Sequence, residues 1–407
     1  MVTAGRARTP RRRDLTHRRP MLTIFLGWLW VMAGANLAAP LYHVYAGRFG
    51  FSGLVLTTVF ATYAVTLVAV LLFCGRLADR HGRRPVILAG MLVACLALVV
   101  FAMAEATWWL YLARALQGVA VGLIGGPATA ALVEVDPARD TQRPAMLAGL
   151  AQAAGSGLGP VVAGSLAQWA AAPLRLSFLV GLAGTVVAAG FVWALPDRSH
   201  GEEPWRIQWP RVGPDIRADF LRVGLTAGLV WASLALYLSV VPTYVADLLS
   251  TDDLALLGGN SALACFASAV AQVWARRRHG HRHRAQALGL VLLAIGLALL
   301  VASALTTSLM TVLLGAVVTG AGHGLAFLHA QDELNTLVPE DRRAEVSAAF
   351  VCCIYVLVGG SAVAIGLLDE AGSLTRGVGV VAGALVAAVL GTAGWQLQRG
   401  SQLAKAQ

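Results

Sequence analysis

Charge is what this chain has least of. Only 13% of its 407 residues are charged, while 57% are hydrophobic; a soluble domain carries roughly a quarter charged residues. That deficit excludes an ordinary soluble protein. Lysine is almost missing, since 30 of the 31 basic residues are Arg and the other is Lys405. An Arg- and Ala-rich composition of this kind points to a GC-rich bacterial coding sequence. No GxxxxGK[ST] phosphate loop occurs, which argues against an ATP-driven pump. Cys74, Cys95, Cys265, Cys352 and Cys353 show no CxxC or Cys/His spacing, so they read as small packing residues rather than metal ligands. No catalytic constellation stands out, and neither an enzyme nor a cofactor is expected.

Long apolar runs fill the space that charge vacates. A run of about 20 such residues crosses a bilayer as a helix. Twelve are found, at about 22–45, 53–75, 85–104, 108–133, 143–169, 174–195, 220–246, 254–275, 285–305, 309–331, 344–368 and 375–397. The Arg-rich start followed by an apolar stretch is similar to a signal peptide, but this stretch continues to about Tyr45 and serves as the first span. The 44 glycines suit close packing of membrane helices.

Arginine placement sets the expected topology. With the N-terminus inside, 27 of the 31 basic residues fall in cytoplasmic segments. Arg48, Arg175 and Arg376 fall outside, and Arg114 falls within a span. This is the bias of the positive-inside rule, with both termini cytoplasmic. A net charge of +10 carried in such short loops does not describe a nucleic-acid-binding face.

The chain divides into an Arg-rich tail (1–20), a six-helix bundle (21–196), a cytoplasmic linker (197–219), a second six-helix bundle (220–398) and a short tail (399–407). Trp205 and Trp209 in the linker suit the headgroup level. The halves match at an offset of 202. Pro40 pairs with Pro242, Tyr42 with Tyr244, Gly118 with Gly320, Gly122 with Gly324, Pro137 with Pro339 and Gly164 with Gly366. Parallel six-span repeats are a transporter plan with substrate held near the midplane. The expected fold is therefore an all-α membrane protein of twelve helices, in two bundles related by a pseudo-two-fold.

The densest charge lies between spans 2 and 3, in GRLADRHGRRPVILAG, from Gly75 to Gly90. Gly75 and Gly82 let the chain reverse in a few residues. Asp79 can accept a charge-assisted bond from an arginine. The pattern of Gly75, Asp79, Gly82, Arg83 and Arg84 resembles the loop between spans 2 and 3 of the major facilitator superfamily. The resemblance covers about residues 21–398. It implies that Asp79 helps latch the two halves on the cytoplasmic side, joined by Glu134 at the inner end of span 4, in an Asp79–Arg83–Glu134 cluster near span 11. A weaker echo, ARRRHGHRHR from Ala275 to Arg284, has Arg277 where the acid would stand, and Asp332 and Glu333 are candidates to pair with it.

Two further stretches carry the resemblance. LARALQGVAVG, Leu112 to Gly122, resembles the family's span-4 pattern of Arg followed by Gln-Gly. A base within a span defaults to a functional reading, against the alternative of snorkelling to the surface. GSGLGPVVAG, Gly155 to Gly164, resembles the span-5 motif of drug/proton antiporters, with Ala163 in place of one Gly and Met146 where an upstream Gly is expected. Gly155, Gly159 and Gly164 form a small packing face, and Pro160 kinks it.

In the family, spans 1, 4, 7 and 10 line the cavity. Asn36, Arg114, Gln117, Trp231, Tyr237 and His323 are the candidates there, with Gln152 and Tyr355 from spans 5 and 11. No Asp or Glu lies at the centre of a span, and Asn36 stands where many family exporters carry an acid. His323 is the remaining titrating group for proton coupling. The set describes a largely apolar pocket. The resemblance implies proton-coupled efflux of a small amphipathic or largely apolar compound across the bacterial cytoplasmic membrane, by a monomer. Its expected partners are that substrate, protons and the lipid bilayer, with no nucleic acid. Rivals are a sugar or metabolite carrier and, more distantly, a transport-inactive sensor.

Overall fold

The structure, a computed structural model, describes residues 11–75, 77–136, 142–196, 209–277, 282–338 and 342–406. Every regular element among them is helical. Twelve helical segments are long and apolar enough to cross a membrane. Spans 1 to 6 are Pro20–Phe49, Gly53–Cys74, Arg83–Ala102, Thr107–Val135, Arg143–Trp169 and Pro173–Trp193. Spans 7 to 12 are Pro214–Ser239, Leu254–Arg276, Arg282–Thr306, Leu309–Leu337, Glu345–Glu370 and Leu374–Ser401. Consecutive spans run in opposite directions. One face therefore carries the Gly75–Arg84 loop and most of the arginines, and the other carries short connections.

Span 1 is not one continuous helix. Its α-helix stops at Asn36, a 3₁₀ turn covers Ala39–Leu41, and a new helix runs Tyr42–Phe49. Span 7 is followed in the same way, with a break at Val240 and a helix over Val241–Leu249. Pro40 and Pro242 explain both. Each lacks an N–H, and each ring collides with the carbonyl four residues back, at Asn36 and Leu238. The matched prolines thus place the same break in each half.

The matched glycines repeat the same helix crossings. A Cβ on Gly118 of span 4 would overlap Thr66 Oγ1 and the Tyr63 carbonyl of span 2. A Cβ on Gly320 of span 10 would overlap the Ala264 carbonyl of span 8. The third matched pair, Gly164 and Gly366, meets the opposite half. Gly164 of span 5 lies against Leu254 of span 8, and Gly366 of span 11 against Leu54 and Thr57 of span 2. The interfaces 5/8 and 2/11 therefore mirror each other across the molecule, and backbones meet where a side chain has no room. Pro137 and Pro339 lie outside the described residues.

Polar ties between the halves gather at the face opposite the Gly75–Arg84 loop. Leu254 N–H donates to Gln168 Oε1 at 2.8 Å, and Ser52 Oγ to Glu370 Oε1 at 3.0 Å. His43 Nε2 lies 3.8 Å from Asp252 Oδ1. Together with the Gly164 and Gly366 crossings, these contacts close that face.

Candidate functional site

Midway along the spans a cavity of about 40 Å³ lies between the halves. Its walls include Asn36 of span 1, Phe60 and Tyr63 of span 2, Arg114 of span 4, Gln152 and Ser156 of span 5, Trp231 of span 7 and Tyr355 of span 11. Tyr63 and Tyr355 meet across the halves, hydroxyl to hydroxyl at 3.5 Å, with their rings edge to face. A cavity of this size holds a few waters. A drug-sized ligand needs roughly 300 Å³ or more. The space as it stands is too small for a molecule of that size.

Arg114 is 3% exposed, so it does not snorkel. Its Nη1 donates to the Ala35 carbonyl at 3.2 Å and to Gln117 Oε1 at 2.8 Å. Gln117 is fixed in turn by donating to the Gly34 carbonyl. The guanidinium lies over the rings of Phe60 at 4.9 Å and Tyr63 at 4.5 Å, favourable faces for a cation. Its buried Nε–H has no acceptor among the described residues. Asn36 Nδ2 donates to the Met32 carbonyl and to Ser156 Oγ, tying span 1 to span 5.

Five of the eight expected cavity residues line this space: Asn36, Arg114, Gln152, Trp231 and Tyr355. Gln117, Tyr237 and His323 lie behind it. Tyr237 is buried inside the second half, with its hydroxyl 3.5 Å from Thr319 Oγ1. His323 is fully buried, its Nδ1 2.7 Å from Ser268 Oγ and its Nε2 without a partner among the described residues. The Trp231 ring stands edge-on to it at 4.8 Å. Trp231 thus separates His323 from the cavity. Span 2 contributes Phe60 and Tyr63, which the rule of spans 1, 4, 7 and 10 passes over.

Within the span 2–3 loop, Arg83 Nη1 donates to Asp79 Oδ1 at 2.7 Å and Arg83 Nε to Glu134 Oε1 at 3.0 Å. Arg84 donates to the Leu195 carbonyl at 2.7 Å, anchoring the loop to the end of span 6. Gly82 has φ of 92°, a conformation that favours glycine. Gly75 instead keeps an ordinary helical backbone (φ −56°), because a short helix at Leu77–His81 shares the reversal. The span-5 motif packs through its glycines. Gly155 meets the Leu29 carbonyl and Gly159 the Ala33 carbonyl of span 1, and the Pro160 carbonyl faces Gly258 of span 8.

A second buried polar centre escaped the sequence. Arg222, counted as cytoplasmic by the topology reading, is 1% exposed at the loop-side end of span 7. It binds Glu333 of span 10 and Gln396 of span 12. Gln286 Nε2 donates to Glu333 Oε2 at 2.6 Å, and Asp219 Oδ1 accepts from Arg222 at 3.2 Å. Glu333 is therefore engaged mainly by Arg222 and Gln286 rather than by the basic stretch at 275–284; His283, 3.9 Å away, is its neighbour from that stretch. The visible signal is Arg222 two residues inside an apolar run, three after Asp219.

On the closed face, burial raises the Asp247 carboxyl above its ordinary value; His43 opposes this and Asp369 adds to it. Among the described residues no group of three or more His, Cys, Asp or Glu side chains is placed to hold a metal ion.

Comparison with known proteins adds three findings. The profile of the Major Facilitator Superfamily matches residues 24–364. Multidrug resistance protein MdtH of Yersinia pestis (strain Pestoides F) is 29% identical over 170 residues, 41% of this chain and 42% of that protein. MdtH of Yersinia pseudotuberculosis serotype O:1b (strain IP 31758) matches to the same extent, so each match spans under half the relative's length. A solved POT family transporter in complex with 5-aminolevulinic acid superposes with a TM-score of 0.75 over 91% of this chain and 95% of that one. The identity is 11%, a likeness of fold.

Proposed function

We propose, from the premise that this chain belongs to the major facilitator superfamily and is a secondary transporter rather than an enzyme, that it exports a small amphipathic or largely apolar compound in exchange for protons. The observation that carries this reading is the cavity between the halves, walled by Phe60, Tyr63, Trp231 and Tyr355 with a single formal charge at Arg114. The partial similarity to multidrug resistance proteins supports export. The positive-inside bias makes the Gly75–Arg84 face cytoplasmic, in a bacterial cytoplasmic membrane. The bundles 21–196 and 220–398 rock about the cavity, joined by the linker 197–219.

On this reading Asp79, Arg83 and Glu134 form the cytoplasmic latch, which engages span 11 when the opposite face opens. His323 serves as a proton site reached when Trp231 swings aside. Inside-out vesicles test the export reading. Acidifying their lumen should drive uptake of amphipathic dyes, and resistance should rise in an efflux-deficient host. Uptake that ignores the proton gradient refutes the coupling.

A further inference from the structure

We infer that the cargo is an amphipathic organic anion whose oxyanion is received by Arg114. This rests on the transporter reading of the cavity and names the class of compound it takes. Two buried arginines in this one chain differ in their surroundings. Arg222 is surrounded by what a buried guanidinium requires: a buried carboxylate at Glu333, a partly exposed one at Asp219, and an amide oxygen at Gln396. Arg114 is as well hidden, at 3% exposure, yet among the described residues no carboxylate pairs with it. It has a carbonyl, an amide oxygen and two ring faces, and its Nε–H is left without an acceptor.

A buried cation held by neutral groups alone is an incomplete ion pair. The missing half lies on the cavity side, because Arg114 is itself part of the wall. The rest of the wall fits the same ligand. Tyr63, Tyr355 and Trp231 of the wall carry two hydroxyls and an indole N–H, groups able to donate, and a carboxylate offers acceptor positions only. Phe60 and the Trp231 ring present apolar area to the body of the molecule. A cationic amphipath would instead meet Arg114 with no carboxylate among the described residues of the wall to offset it.

The test uses the full-length protein in detergent and three radiolabelled probes of one shape: 1-naphthaleneacetate, its neutral amide, and the matching naphthyl amine. Equilibrium binding should favour the carboxylate over the amide by about tenfold or more, the ratio that about 1.4 kcal/mol produces. It should favour it over the amine by more. Arg114→Lys keeps the charge but loses the fork, and should retain part of the preference. Arg114→Gln should level the acid and the amide. Should that variant fail to fold, the wild-type ranking of the three probes decides alone.

Equal or tighter binding of the amine, no binding of any probe, or an undiminished carboxylate preference in Arg114→Gln overturns the inference. Proteoliposomes with an imposed proton gradient separate it from the export reading. Carboxylate-selective binding without gradient-driven movement sinks export and leaves the anion site. Movement of all three probes alike leaves export and sinks the anion site.

Discussion

Removing the carboxylate at Glu333 should destabilise the second half of the molecule more than any change at the latch. Glu333 is 4% exposed. It accepts from both terminal nitrogens of Arg222 and from Gln286, and His283 Nδ1 lies 3.9 Å away. In Glu333→Ala, Arg222 keeps Asp219, whose side chain is 24% exposed, and Gln396, and the Gln286 amide loses that carboxylate acceptor. Breaking a buried pair from one side costs about 3–5 kcal/mol, because the remaining charge stays buried. Asp219 offsets part of this, so about 3 kcal/mol is expected. Replacing both partners by apolar groups, as in Arg222→Met with Glu333→Leu, should recover most of the loss. Thermal unfolding in detergent, followed by circular dichroism and by protein remaining monodisperse, measures all the variants. A single substitution costing under about 1 kcal/mol refutes the reasoning, because it would mean that water already reaches Arg222. A double variant no better than the worse single one refutes it too, since the cost would then lie in packing rather than charge.

Other outcomes follow from the same geometry. Asp79→Asn should cost under about 1 kcal/mol, because its ion pair with Arg83 is partly exposed. The same change should cut transport severalfold in vesicles, and normal transport by a folded variant removes the latch. His323→Gln should leave folding near normal but abolish pH-driven exchange, and intact exchange removes His323 as the proton site. Gly366→Leu should block closure of the 2/11 interface at Leu54 and Thr57, seen as increased labelling of cysteines introduced on the closed face. At Asp247 the folded-state value lies above the ordinary 3.8, through burial first. Its stabilisation is complete below 3.8 and is lost as pH rises through the folded value. Mild acid should therefore tighten the closed face, and Asp247→Asn should flatten that slope in a melting series against pH.

Much of this architecture is legible before any coordinates. Each span is a local run of apolar residues, and the broken helices after Asn36 and Ser239 follow from Pro40 and Pro242. The glycine matches anticipate the crossings because the absence of a side chain is itself a local property. The site is less legible. Arg114 stands out as a base within a span, but the pattern of four lining spans omits Phe60 and Tyr63 and includes Tyr237 and His323, which face into their own bundle. Which side of a helix meets the cavity depends on how that helix is rotated by its neighbours. Hydropathy is nearly uniform around these helices and does not record it.

By itself, then, the sequence determined the twelve spans, the duplication and the basic loop, since each depends on residues near one another in the chain and on the solvent around them. The tertiary structure decided what two arginines mean. Arg222 reads as a loop charge until Glu333, 111 residues on, is brought against it. Arg114 reads as any intramembrane base until the packing of spans 1, 2, 4 and 7 leaves it, among the described residues, without a carboxylate beside an open space. A charge is set by its own atoms, but its counter-ion is set by which helices meet.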